Sequence, residues 1–110
     1  MKVDYRYYAT VVRVVDGDTI DLDVDLGFHT FTRIRTRLLG VDTPEKYGSR
    51  SCEAGYEASA FTEKLLPVGT QLRLESYKTG KYGRWLARIF LPNGSCLNDI
   101  LRERYPLKGD

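Results

Sequence analysis

Apolar and acidic residues alternate strictly through residues 19–26. In an extended chain such a period of two places one set on each face of a sheet. The apolar set is Ile20, Leu22, Val24 and Leu26, and the acidic set is Asp21, Asp23 and Asp25. Residues 30–39 repeat the alternation with arginine at three polar positions. The pattern predicts two half-buried strands joined by a turn at Gly27.

The charges of this predicted hairpin also predict its register. If Asp21 lies across from Arg35 and Asp23 lies across from Arg33, two opposite-charge pairs form on the outer face, which favours this pairing over a slipped one. The third arginine of the strand, Arg37, has no aspartate left to face. A structural explanation therefore covers two of the three arginines and leaves Arg37 available for another role.

The rest of the chain predicts three more strands and two helices. β-Branched and aromatic residues favour a strand at 5–15. Residues 71–75 and 85–91 are also predicted to be strands, joined by a turn. Helical spacing of Ala58, Phe61 and Leu65 predicts a helix over 54–66, which Pro67 ends. Ser95 is expected to cap a short C-terminal helix with three core-facing residues, Leu97, Ile100 and Leu101.

Five strands with a helix between the third and the fourth is the order of an OB-fold, a partly open Greek-key β-barrel with added helices. The chain has 110 residues, which suffices for one hydrophobic core and not for two. We therefore expect a single α+β domain over residues 1–110.

Composition narrows the functional classes only slightly. Hydrophobic residues make up 42% and charged residues 29%, and the net charge of +2 is too small to indicate nucleic-acid binding by itself. No apolar run is long enough to span a bilayer, and the residues after Met1 do not form a signal peptide. We therefore expect a cytoplasmic protein that does not act at a membrane, and a mature secreted form restarted at Met is left open. We also expect a monomer. Cys52 and Cys96 could form one disulfide, but two unpaired cysteines are expected in a chain without a secretion signal. The lone His29 is given no role.

Two acidic segments suggest a metal site. Taken alone, 16–19 (DGDT) and 42–45 (DTPE) are most simply turns. Together they bring hard oxygen ligands of the kind that Ca²⁺ prefers, namely Asp18, Asp42 and the carbonyl of Thr43. Glu45 lies beyond a rigid proline and would remain free to act as a general base for a water molecule.

Two arginines complete the set that phosphodiester cleavage requires. Arg37 and Arg84 carry planar guanidinium groups, which match phosphate oxygens in a way that lysine does not. Neutralising charge at the phosphate and stabilising the departing oxygen are the tasks that such groups perform.

The segments DGDT, RLLGVDTPE, GYEASAF and KYGRWLA, in this order, resemble the staphylococcal nuclease family over about residues 8–105. The resemblance implies an OB-fold nuclease that hydrolyses DNA, RNA or both with little sequence preference. It implies Ca²⁺ binding by Asp18, Asp42 and Thr43, with Glu45 as the base. It also implies phosphate binding by Arg37, transition-state stabilisation by Arg84, and contact of Lys81 and Tyr82 with the terminal phosphate of a nucleotide.

A non-catalytic OB-fold that binds single-stranded nucleic acid or a protein ligand is the alternative. Loss of catalysis in such a relative would first remove Arg37, Glu45 or Arg84. All three are present, which favours the enzyme.

Overall fold

A computed structural model describes residues 5–44, 53–79 and 85–106. It contains five strands and two helices in these residues. They are β1 (Arg6–Asp16), β2 (Thr19–Asp25), β3 (Phe31–Leu38), α1 (Glu53–Leu65), β4 (Gln71–Thr79), β5 (Trp85–Phe90) and α2 (Leu97–Arg104).

The strands form a closed barrel in the order β1-β2-β3-β5-β4. All neighbours are antiparallel except β3 and β5, which run parallel. Strand β1 pairs with β2 and with β4, and register shifts after Val11 and after Val14 mark where its pairing with β2 is irregular. Bulges of this kind bend a strand and increase its twist. The predicted five-strand barrel with a helix between its third and fourth strands is confirmed, and the barrel is closed rather than partly open.

The predicted register of the β2–β3 hairpin is also confirmed. Asp21 faces Arg35 and Asp23 faces Arg33, while Arg37 faces Thr19. The apolar residues that alternate with these aspartates on β2 point into the core, where Ile20 and Leu22 are fully buried.

Helix α1 packs on β1 through smaller residues than the sequence indicated. Ala58 is fully buried as predicted, but Phe61 and Leu65 are only partly buried. The other buried positions of the helix are Gly55, Ser59 and Thr62. Small side chains let the helix approach the β1–β2 turn closely, and the Thr62 hydroxyl donates a hydrogen bond of 2.8 Å to a backbone carbonyl of that turn. Neither α1 nor α2 is long and apolar enough to cross a membrane.

The predicted cap of α2 is wrong by one residue. Cys96 is the N-cap and makes no capping hydrogen bond through its side chain. Ser95 belongs to the preceding turn, because its carbonyl accepts from the amide of Leu91 at 2.8 Å. Leu97 and Leu101 are fully buried as predicted. Cys96 forms no disulfide among the described residues, and Cys52 lies outside them, so the expectation that both are unpaired stays a prediction.

Candidate metal and phosphate site

Three segments of the chain meet at one end of the barrel. They are the β1–β2 turn, the C-terminal end of β3, and residues 41–44 that follow it. The amide of Leu38 donates to the carbonyl of Asp18 at 2.9 Å, which fixes the end of β3 against the turn. Asp18, Arg37, Asp42 and Thr43 are brought together as a result.

Asp18 is buried, with 7% of its surface exposed. Its carboxylate accepts a hydrogen bond from the Thr43 amide at 3.2 Å and another from the Thr19 hydroxyl at 3.0 Å. Burial nevertheless raises the pKa of Asp18, since removal from water outweighs the stabilising effects of Arg37 and of the two donors. A cation bound next to Asp18 would therefore stabilise the ionised form of its carboxylate.

Arg37 lies between the carboxylates of Asp18 and Asp42 and does not form a two-nitrogen ion pair with either of them. Its Nη2 atom is 3.6 Å from Asp18 Oδ2, 3.3 Å from Asp42 Oδ1 and 3.4 Å from the Val41 carbonyl oxygen. These are long contacts from a single nitrogen, whereas a strong arginine–carboxylate pair uses two nitrogens at shorter distances. The guanidinium group is thus placed beside both acids and retains donors for an anionic ligand.

The side chain of Thr43 places a further oxygen atom at this site. Its hydroxyl oxygen is buried and has no hydrogen-bond partner among the described residues. Such an orphaned buried oxygen is uncommon, because an unsatisfied polar group costs free energy. The Thr43 hydroxyl also lies in a tight place, since a Cβ atom at Gly17 would come within 2.7 Å of it.

Sequence reasoning treated Gly17 only as a turn residue. The structure gives it a second role, because a Cβ at this position would also lie 3.1 Å from the Cβ of Ala58. Glycine therefore permits the close approach of α1, the turn and Thr43. The DGDT motif at residues 16–19 marks this glycine in the sequence. The motif alone does not predict that the glycine lies against residues 43 and 58.

The donor set fits a hard divalent cation. Two carboxylates and the oxygens of Thr43 are the ligand types that Ca²⁺ prefers. The described residues contain no group of three or more acidic, histidine or cysteine side chains suited to a metal. Glu45, the acid predicted to act as the general base, lies outside the described part of the chain.

The remaining predicted site residues, Lys81, Tyr82 and Arg84, also lie outside the described residues. The sequence joins Arg84 directly to Trp85, the first residue of β5. Trp85 pairs with Thr36, and Leu86 pairs with Arg37. The beginning of β5 therefore lies beside the end of β3, where Arg37 is located.

Residues 35–104 match a family model described as staphylococcal nuclease homologue. The match covers more than half of the chain. This protein belongs to that family. The confirmed barrel and the grouping of Asp18, Arg37, Asp42 and Thr43 are consistent with the family resemblance drawn from the motifs.

Individual relatives carry related descriptions. An uncharacterized protein of Methanocaldococcus jannaschii is 37% identical over 89% of this chain and 55% of its own length. An uncharacterized endonuclease of Escherichia coli O157:H7 is 30% identical over 86% of this chain and 55% of its own. A thermonuclease of Staphylococcus hyicus is 42% identical over 74% of this chain and 47% of its own. The chain thus spans about half the length of the curated relatives that it matches.

Proposed function

We propose that this protein is a Ca²⁺-dependent nuclease that hydrolyses phosphodiester bonds of DNA, RNA or both with little sequence preference. The observation that carries the proposal is the buried carboxylate of Asp18, held beside Arg37, Asp42 and the Thr43 hydroxyl, which has no hydrogen-bond partner among the described residues. Family membership and the endonuclease and thermonuclease relatives support the same reaction class.

Asp18, Asp42 and the carbonyl oxygen of Thr43 would hold the cation. Bound Ca²⁺ supplies positive charge that neutralises the phosphate and favours attack by water. The few protein ligands suit Ca²⁺, which accepts a flexible oxygen shell, better than Mg²⁺, which demands near-octahedral order.

Each remaining side chain has one task. Arg37 holds the phosphate, since its guanidinium group lies beside Asp18 and Asp42 and makes only long contacts from one nitrogen among the described residues. Glu45 takes the proton from the attacking water. Arg84 stabilises the charge that develops on the phosphate and the departing oxygen.

Lys81 and Tyr82 contact the terminal phosphate of the bound nucleotide. Both precede β5, whose first residues pair with the end of β3. We expect the protein to act as a monomer, because one chain supplies all of these groups.

Hydrolysis by wild-type protein and the Glu45→Gln variant tests the proposal. Fluorescent single- and double-stranded DNA and RNA would be incubated with Ca²⁺, with Mg²⁺ or with excess chelator. We expect cleavage with Ca²⁺, little with Mg²⁺ and none with chelator. Glu45→Gln keeps the shape of the side chain and removes its basicity, so kcat should fall by roughly 10²–10⁴ while nucleotide affinity changes little.

The control is Glu57→Gln, which makes the same chemical change at an exposed position of α1. It should cleave at the wild-type rate. Full turnover in chelator would contradict the metal requirement, and wild-type turnover by Glu45→Gln would assign the base to another group. Nucleic-acid binding without cleavage under every condition would favour the non-catalytic alternative.

A further inference from the structure

The outer surface of β1, β4 and β5 carries a groove far from the Asp18 site. Tyr8 pairs with Arg73, and Arg73 pairs with Phe90, so three side chains form one row across the three strands. Two adjoining depressions of about 330 and 300 Å³ lie along this surface and share Tyr8 and Arg73 as lining residues. We call this surface the Tyr8–Arg73 groove.

The groove has an excess of positive charge. Arg6 forms an ion pair with Glu75 at 3.2 Å, and Arg88 lies 3.8 Å from Asp99. Arg73 has no carboxylate within ion-pairing distance among the described residues; its guanidinium carbon instead lies 5.7 Å from the centre of the Phe90 ring. A planar cation held over an aromatic ring keeps its donors for an anion such as phosphate.

Tyr8 offers an aromatic surface next to this cation. It is 68% exposed, although it lies in the middle of a sheet. On its other side it faces Asp25, whose carboxylate accepts the Gly27 amide at 2.8 Å and is thereby held in the hairpin turn. A base can stack on an exposed ring of this kind, and the stacking tolerates any sequence because every base has a π-face.

The groove is separate from the candidate catalytic site. Tyr8 precedes Asp16 by eight positions on β1, which corresponds to roughly 26 Å along an extended strand. None of the residues that line the two depressions belongs to the group around Asp18. One mononucleotide is therefore too small to occupy both places.

We propose that the Tyr8–Arg73 groove binds single-stranded nucleic acid, with a base stacked on Tyr8 and a neighbouring phosphate held by Arg73. An aromatic plane beside an arginine without a carboxylate partner is the combination that single-strand binding surfaces use. An acidic protein segment would satisfy the charge of Arg73 but would not require the aromatic plane. The inference does not depend on cleavage, since binding is measured without a bound metal.

Fluorescence anisotropy in chelator tests it with a labelled 12-nucleotide single-stranded DNA and an abasic strand of equal length. Tyr8→Ala should weaken binding of the normal strand by about 5- to 150-fold, the range of one lost base–aromatic stack. Arg73→Gln should also weaken binding, and it should reduce the slope of log K against log salt concentration by about 0.7, as expected for one lost phosphate contact on a single strand. The abasic strand should bind weakly, and Tyr8→Ala should not weaken it further.

Arg33→Gln is the matched control, because it removes one exposed arginine from β3, away from the groove, and alters net charge equally. It should change affinity much less than Arg73→Gln. Tyr8→Leu preserves apolar contact without the aromatic plane and replaces Tyr8→Ala if that variant does not fold. Equal affinity of wild type and the groove variants would overturn the proposal, as would equal losses for Arg73→Gln and Arg33→Gln, or abasic and normal strands that bind alike. None of these outcomes depends on whether the protein cleaves nucleic acid.

Discussion

Two sets of aspartate–arginine contacts lie on the same hairpin and differ in almost every physical respect. On the outer face, Arg33 and Arg35 each meet an aspartate through two nitrogens, at 2.8 and 3.1 Å. At the end of β3, Arg37 meets Asp18 and Asp42 through one nitrogen, at 3.6 and 3.3 Å. The first set is well matched, and its arginine side chains are at least half exposed, whereas the second is poorly matched and its arginine is only 31% exposed.

The pKa directions express the same difference. The hydrogen bond from Arg33 lowers the pKa of Asp23, so ionisation of that aspartate is favoured by folding. Burial raises the pKa of Asp18, so its ionised form is disfavoured in the folded protein. The outer pairs support the barrel, whereas the Asp18 site costs stability. Costs of this kind are typical of functional sites, where a group is held ready for a ligand.

Substitution of single arginines should give the largest difference between the two sets of contacts, and the difference should appear in kcat/KM. Arg37→Gln should lower kcat/KM by roughly 10²–10³, because the phosphate that Arg37 holds would lose a charged donor both in the bound substrate and in the transition state. Arg35→Gln, two residues earlier on the same strand, should leave kcat/KM close to wild type. Steady-state cleavage of single-stranded DNA with saturating Ca²⁺ measures both variants.

Circular dichroism of both variants must show the folded barrel before their rates are compared. Equal activity of Arg37→Gln and wild type would make Arg37 another structural partner, and the proposed phosphate contact would be lost. A large rate loss in Arg35→Gln would show that the outer pairs hold the site in place.

The outer pairs could be predicted from the sequence because their cause is local. A period of two assigns each residue to a face of the sheet. The opposite charges of the two strands then favour the register that places Asp21 opposite Arg35. The barrel order followed in the same way, from five strand patterns and the position of one helix.

The burial of Asp18 could not be predicted, because it depends on contacts distant in sequence. Thr43 lies 25 residues after Asp18, and Thr62, whose hydroxyl donates to the carbonyl of Gly17, lies 45 residues after that glycine. The helical spacing identified the face of α1 that packs on the barrel, but it did not show that the small residues of this face, Gly55, Ser59 and Thr62, are the more deeply buried ones. The motifs identified Asp18 as a candidate ligand, but only the fold shows that it is buried and that the Thr43 hydroxyl lacks a hydrogen-bond partner within the part of the chain that the structure describes.

Stability against pH should have opposite signs for the two aspartates. The folded pKa of Asp18 lies above its ordinary value of 3.8, so the folded state binds more protons and stability falls as pH rises from 3.8 through the folded pKa. Asp18→Asn should therefore be more stable than wild type at pH 7, by an amount within the roughly 0.5–3 kcal/mol of ordinary single substitutions, and should lose this advantage near pH 3. Urea unfolding at both pH values measures it.

Asp23→Asn is the control with the reverse sign. Its folded pKa lies below 3.8, so its stabilising contribution is present above that value and is lost as pH falls through the folded pKa. This variant should be less stable than wild type at pH 7, with the difference vanishing in acid. If Asp18→Asn were instead destabilised at pH 7 and unaffected at pH 3, the hydrogen bonds of Asp18 would outweigh its burial.

The smallest expected effect lies within the outer pairs themselves, where Asp21 has two arginine neighbours. Arg35 binds it through two nitrogens, and Arg13 approaches it from β1 at 3.6 Å. A double-mutant cycle of Asp21→Asn with Arg35→Gln should give a coupling of about 0.2–1 kcal/mol, and the cycle with Arg13→Gln should give less. Both couplings should shrink in 1 M salt, where the Debye length falls to about 3 Å. A larger coupling for Arg13 would mean that distance and two-point geometry do not rank the pairs of Asp21, and the contrast with Arg37 would then lose its geometric support.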